Sequence, residues 1–142
     1  MSPTTVRPVA EAIDIADTDS LLSEDEREVR AVVRSFCEQR LDPHVAEWFE
    51  SGDLPGAREL ARGFGELGLL GMHLEGYGCA GMSATAYGLA CLELEACDSG
   101  IRSFVSVQGS LAMYAIHRWG ARRRSRSGCR GWRPARSSDA SA

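Results

Sequence analysis

Three polar side chains in the second half of the chain have the types and spacing to handle an anion. Arg102 and Ser106 are four residues apart, which places them on one face of a helix, and a guanidinium is a planar fork matched to a carboxylate. Glu95, across the short "DSG" break at 98 to 100, is in position to hold that guanidinium. A cation at a helix start opposes the helix dipole, so Arg102 calls for a local anion. From the residues alone, a surface arginine and a helix serine bonded back to a carbonyl account for the same pattern.

Residues 76 to 81, "GYGCAG", fit GxGxxG letter for letter. A dinucleotide fold also needs a strand before the glycines and a second strand ending in an acid that holds a ribose. The upstream "LGLLGMHL" is a candidate strand, but Asp98 precedes the next apolar segment instead of closing it. A helix-to-helix connection, with glycines that permit positive φ, is the favoured reading. The five cysteines, Cys37, Cys79, Cys91, Cys97 and Cys129, form no CxxC pair and have no zinc-site spacing, so they read as reduced thiols of a cytoplasmic protein. His44, His73 and His117 are too dispersed to nominate as a metal or catalytic set, so no metal site is expected. Tyr87, Met113 and Tyr114 read as core packing.

These residues must be positioned by helices. Ser23 and Glu26 form a capping box for a helix with an apolar stripe of Val29, Val32, Val33, Phe36 and Cys37. Asp42 and Pro43 start a second helix carrying Val45, Trp48 and Phe49, and "SGD" at 51 to 53 stops it. Pro55 suits the first turn of a third, with Leu60, Ala61, Phe64 and Leu67 inward. Ser83 caps a fourth over "ATAYGLACLELEAC", and a fifth runs from Ile101 to Gly120. The expected fold is therefore an all-α helical bundle over residues 21 to 120, preceded by a disordered leader at 1 to 20 and followed by a disordered tail at 121 to 142. With 142 residues, a cofactor domain and a substrate domain do not both fit.

From Ser23 to Gly120 the chain resembles the N-terminal helical domain of acyl-CoA dehydrogenases. The likeness is carried by "LEGYGCAG" and "AYGLACLELEACDSGIRSFVSVQGSLAMYAIHRWG", and within the family it points to the glutaryl-CoA dehydrogenase branch. The resemblance implies an FAD enzyme, a homo-oligomer when intact, that oxidises an acyl-CoA between its α and β carbons. It also implies that the arginine of the "DSGxRS" motif, here Arg102, holds the substrate's distal carboxylate, with Ser106 assisting and Glu95 supporting. The flavin domain and the catalytic base of such an enzyme are expected to lie beyond these residues. The chain alone is thus expected to be inactive and not to retain FAD, and no catalytic residue is assigned within it.

The tail, "RRRSRSGCRGWRPARSS" and onward, departs from the family. From Ala121 it carries seven Arg against one Asp, or +6, whereas residues 1 to 120 carry nine Arg against 19 acids, or −10. Every basic residue is Arg and none is Lys, which is the mark of a GC-rich coding sequence. Read one nucleotide out of step, "GWRPARSSDASA" can encode a peptide ending Ile-Gly-Cys-Phe-Gly, the family's own wording. Residues 121 to 142 are therefore expected to be a frameshift product. Two other functions compete: a nucleic-acid-binding arm, disfavoured by the acidic body, and a helical interaction module without enzymatic activity. No window approaches ~18 uninterrupted apolar residues, so no membrane span is expected.

Overall fold

The structure, a computed structural model, describes residues 17–120. The expectations for residues 1–16 and 121–142, the leader and the frameshifted tail, lie outside the described residues. Those described form an all-α bundle, as the periodicity requires, with no strand among them. A 3₁₀ turn at Thr18–Leu21 leads into α1, Glu24–Arg40, followed by α2, Asp42–Ser51, and α3, Ala57–Glu66. After a long connection come α4, Ala84–Cys97, and α5, Ser99–Ser106. A π-helical segment, Val107–Met113, joins α5 directly to α6, Tyr114–Trp119.

Local signals set most boundaries. The Ser23 hydroxyl accepts from the Glu26 amide while the Glu26 carboxylate accepts from the Ser23 amide, which closes the capping box of α1. Ser83 caps α4 through the Ala86 amide. Two boundaries differ from expectation. Pro55 is not in the first turn of α3, because Gly56 at φ 74° turns the chain before the helix opens at Ala57. The "DSG" does not separate two helices by three residues: Asp98 is itself the cap, its carboxylate accepting from the Ile101 amide, and Ser99 and Gly100 are already helical.

The core is built on the packing of α1 against α4. Val33 and Cys37 of α1 and Ala86, Ala90 and Leu94 of α4 are buried, the two alanines being small enough to let the helix axes approach. Val32, expected in the α1 stripe, is largely exposed, as is Phe49 on α2. Phe64 of α3 is fully buried, with its ring near Phe36 and Phe104. The connection at 67–83 is not a strand; Leu69, Leu70, Met72 and Leu74 are buried in it as an irregular apolar plug.

The last helix buries Ile101, Val105, Gly109 and Met113, a strict spacing of four. In an α-helix of 3.6 residues per turn, each such step drifts by about 40°. The wider i→i+5 turns of the π segment lag and cancel that drift, keeping all four side chains on the core. Gly109 is required here, since a Cβ on it would stand 3.1 Å from the Gly71 backbone nitrogen.

Candidate functional site

Glu95 and Arg102 meet. Arg102 donates from Nε to Glu95 Oε2 at 2.6 Å across the α4–α5 turn, and Ser99 donates to Glu95 Oε1 at 2.5 Å. The Ser99 hydroxyl, then Arg102, hold the Glu95 carboxyl below the ordinary carboxylate range, and Glu95 in turn raises Arg102. Both side chains remain open to solvent, at 38% and 45% exposure. Because Glu95 occupies Nε, the two terminal nitrogens of Arg102 form no hydrogen bond among the described residues. Ser106 does not join this pair: its hydroxyl donates to the Ser103 carbonyl at 3.2 Å, the ordinary back-bond of a helix serine.

Other side chains share this seam. Tyr87, Cys91 and Glu95 recur every four residues along one face of α4, opposite Arg102, Ser106 and Ser110. The Tyr87 hydroxyl and Ser110 are hydrogen-bonded at 2.9 Å. Burial pushes the Tyr87 phenol up, with Ser110 working against the rise. His73 packs with Tyr87 at 4.6 Å between ring centroids and with Tyr114 at 6.5 Å, and burial lowers its pKa, followed by the charge of His117. Sequence reasoning missed Ser110, Cys91 and His73. The four-residue period on α4 was a usable signal for Cys91, but the π segment that turns Ser110 toward Tyr87 had none. Met113 is core as expected and Tyr87 is half-buried, whereas Tyr114 is exposed, because α6 lies at the edge of the bundle.

The GxGxxG segment is a connection. Gly76, Gly78 and Gly81 take positive φ, and Gly81 donates to Leu74 while Met82 donates to Met72. His117 Nε2 is 2.8 Å from the Glu75 carbonyl, tying the loop to α6. No group of three or more His, Cys, Asp or Glu side chains able to hold a metal occurs among the described residues. No described helix is long and apolar enough to cross a membrane.

One groove among the described residues has a lining unsuited to the phosphates of FAD. This groove, of about 300 Å³, runs between α2 and the start of α5, lined by Trp48, Phe49, Leu54 and Ile101. It also presents Asp53 and Asp98, which repel a pyrophosphate. No basic side chain lines it, and neither Glu95 nor Arg102 is among its lining residues.

The family model described as acyl-CoA dehydrogenase, N-terminal domain, matches residues 23–126. The chain belongs to the acyl-CoA dehydrogenase family. The crystal structure of glutaryl-CoA dehydrogenase from Mycobacterium smegmatis is 63% identical over 80% of this chain and 30% of that one, with a TM-score of 0.75. A glutaryl-CoA dehydrogenase from Mycobacterium smegmatis in complex with FADH2 is 57% identical over 82% of this chain and 31% of that one, with a TM-score of 0.76. The chain therefore spans less than a third of the length of these relatives, and corresponds to the helical front domain of an acyl-CoA dehydrogenase.

Proposed function

We propose that this domain supplies the substrate-selecting wall of a glutaryl-CoA dehydrogenase-like flavoenzyme, in which Arg102 binds the distal carboxylate of a dicarboxylic acyl-CoA. The supporting observation is the one-sided capture of Arg102: Glu95 fixes the guanidinium through Nε, and the terminal nitrogens are left for a second carboxylate. Glu95 orients the fork, and Ser106, one turn further along α5, offers a hydroxyl if it releases the Ser103 carbonyl. In such an enzyme FAD would supply the hydride acceptor, and we assign the residues that would hold it and remove the α proton to protein outside this domain. The 142 residues alone accordingly neither retain flavin nor oxidise an acyl-CoA. Phe49, Trp119 and Leu111, at 85%, 72% and 66% exposure, favour a domain that works against further protein surface.

The test is made on a full-length enzyme carrying this domain. Arg102→Gln is expected to lower kcat/KM for glutaryl-CoA roughly 100-fold while sparing butyryl-CoA, which lacks the distal carboxylate. Equal loss for both substrates overturns the assignment. The Arg-rich segment after Gly120 we read as out-of-frame sequence. Its wording supports this, and the nucleotide sequence tests it: the shifted frame must continue as acyl-CoA dehydrogenase. The cytoplasm remains the proposed compartment, on the odd number and unpaired spacing of the cysteines in the sequence.

A further inference from the structure

Glu95, in the last turn of α4, has both carboxylate oxygens engaged, each by a different residue of α5. Ser99 Oγ donates to Oε1 at 2.5 Å and Arg102 Nε donates to Oε2 at 2.6 Å. Ser99 stands within reach because Asp98 is extended between the two helices and caps α5 by accepting from the Ile101 amide at 2.8 Å. Gly100 permits that cap, since a Cβ there would stand 2.9 Å from Asp98 Oδ1. Ser99 is thus the first residue of α5, three positions before Arg102 and on the same side of the helix. Its hydroxyl does more than Arg102 to hold the Glu95 carboxyl below the ordinary carboxylate range.

An arginine and a carboxylate left to themselves favour a fork of two parallel N–H···O bonds. Formed between Glu95 and Arg102, that fork would bring Oε1 onto a terminal nitrogen and leave less of the guanidinium for a second anion. With Oε1 taken by Ser99, only Oε2 bonds Arg102, and the contact stays at Nε. No other acid pairs with Arg102 among the described residues. We propose that Ser99 is a positioning residue for substrate selection: by holding Glu95 Oε1 it limits Glu95 to a single bond, so that both terminal nitrogens of Arg102 stay available to the distal carboxylate of a dicarboxylic acyl-CoA. The inference rests on the reading of Arg102 as that carboxylate's partner, and adds a residue that does not itself touch the substrate. Without the hydroxyl, Glu95 turns onto the fork and competes with the substrate for the same nitrogens. The loss falls on binding, and on the dicarboxylic substrate alone, because a monocarboxylic acyl-CoA makes no use of the fork.

The experiment is a double-mutant cycle in a full-length enzyme carrying this domain, with glutaryl-CoA and butyryl-CoA as substrates. Ser99→Ala is expected to raise KM for glutaryl-CoA roughly 10-fold with kcat nearly unchanged, and so to lower the glutaryl-to-butyryl ratio of kcat/KM by the same factor. Ser99→Thr, which keeps the hydroxyl, should retain the parental ratio. In an Arg102→Gln background Ser99→Ala should have no further effect on the ratio, since its action passes through the guanidinium. A parental ratio in Ser99→Ala, an equal loss for both substrates, or a further loss of ratio in the Arg102→Gln background would each overturn the proposal while leaving Arg102 in its role. An unchanged ratio in Arg102→Gln alone would overturn the reading of Arg102 and this proposal with it.

Discussion

Two arginine–glutamate clusters stand two residues apart on α4 and do different work. Glu93 faces α1, only 6% exposed, and accepts from Arg30 Nε at 2.7 Å and from Arg34 Nε and a terminal nitrogen of Arg34 at 2.9 Å each. Arg30 also pairs with Asp19 of the 3₁₀ turn, fastening the start of the domain. Glu95 faces α5 and solvent, and takes a single bond from Arg102. At about 100° per residue, two positions rotate a side chain to nearly the opposite face of the helix. Glu93 therefore has both carboxylate oxygens saturated inside a seam, while the Glu95 pair leaves guanidinium nitrogens unused at the surface. The same two residue types make a buried joint in one place and an exposed pair in the other, according to what else surrounds them.

The largest effect that would test this contrast is expected at Glu93. Glu93→Ala leaves Arg30 and Arg34 crowded without their counter-ion and should cost about 3 kcal/mol in urea unfolding. A change as small as that of an ordinary surface substitution would erase the distinction between the clusters. Burial tends to raise the Glu93 carboxyl, but Arg34 and Arg30 outweigh it and leave the pKa lowered. Its contribution is thus present above the unfolded carboxylate value of roughly 4.3 and is lost as pH falls through the lower folded value. Stability measured across that acid range should fall less steeply in Glu93→Gln than in the parent.

A somewhat smaller loss, about 2 kcal/mol, is expected for Gly71→Ala by the same unfolding measurement. Gly71 has φ 68°, which alanine adopts only under strain, and an added Cβ would stand 2.6 Å from the methyl of buried Met113, whose side chain would have to shift. Ser23→Ala, which opens the capping box, should cost about 1 kcal/mol. At the bottom of the scale, Glu95→Gln should leave the melting temperature unchanged, because an exposed pair adds little to folding. In a full-length enzyme, however, it should weaken selection of the dicarboxylic substrate. A clear drop in melting temperature for Glu95→Gln would make the second cluster structural as well.

Much of the fold could be read directly from residue order. The capping box and apolar stripe of α1 and the Ser83 cap of α4 are local matters, settled by side chains within one or two turns of each other. Pro55 and the "DSG" turn differ from expectation because Gly56, at φ 74°, precedes α3 and Asp98 caps α5 through the Ile101 amide. The candidate site was legible as the Glu95–Arg102 pairing, because only a short turn separates the two residues. Ser106 is a partner by family resemblance and i, i+4 spacing, and neither says anything about the Ser103 carbonyl that competes for its hydroxyl.

The amino-acid order by itself determined where α1 and α4 start and most of the apolar stripe of α1, since caps and periodicity act over a few residues. It also determined that an arginine and a glutamate flank one tight turn. Only the tertiary structure decided that Arg30 and Arg34 converge on Glu93, that Cys37 reaches the Glu93 carbonyl, and that a π segment turns Ser110 toward Tyr87. Those relations join residues some 20 to 60 positions apart, and they depend on the crossing of helices, which the close approach of α1 to Ala86 and Ala90 sets and no local pattern records.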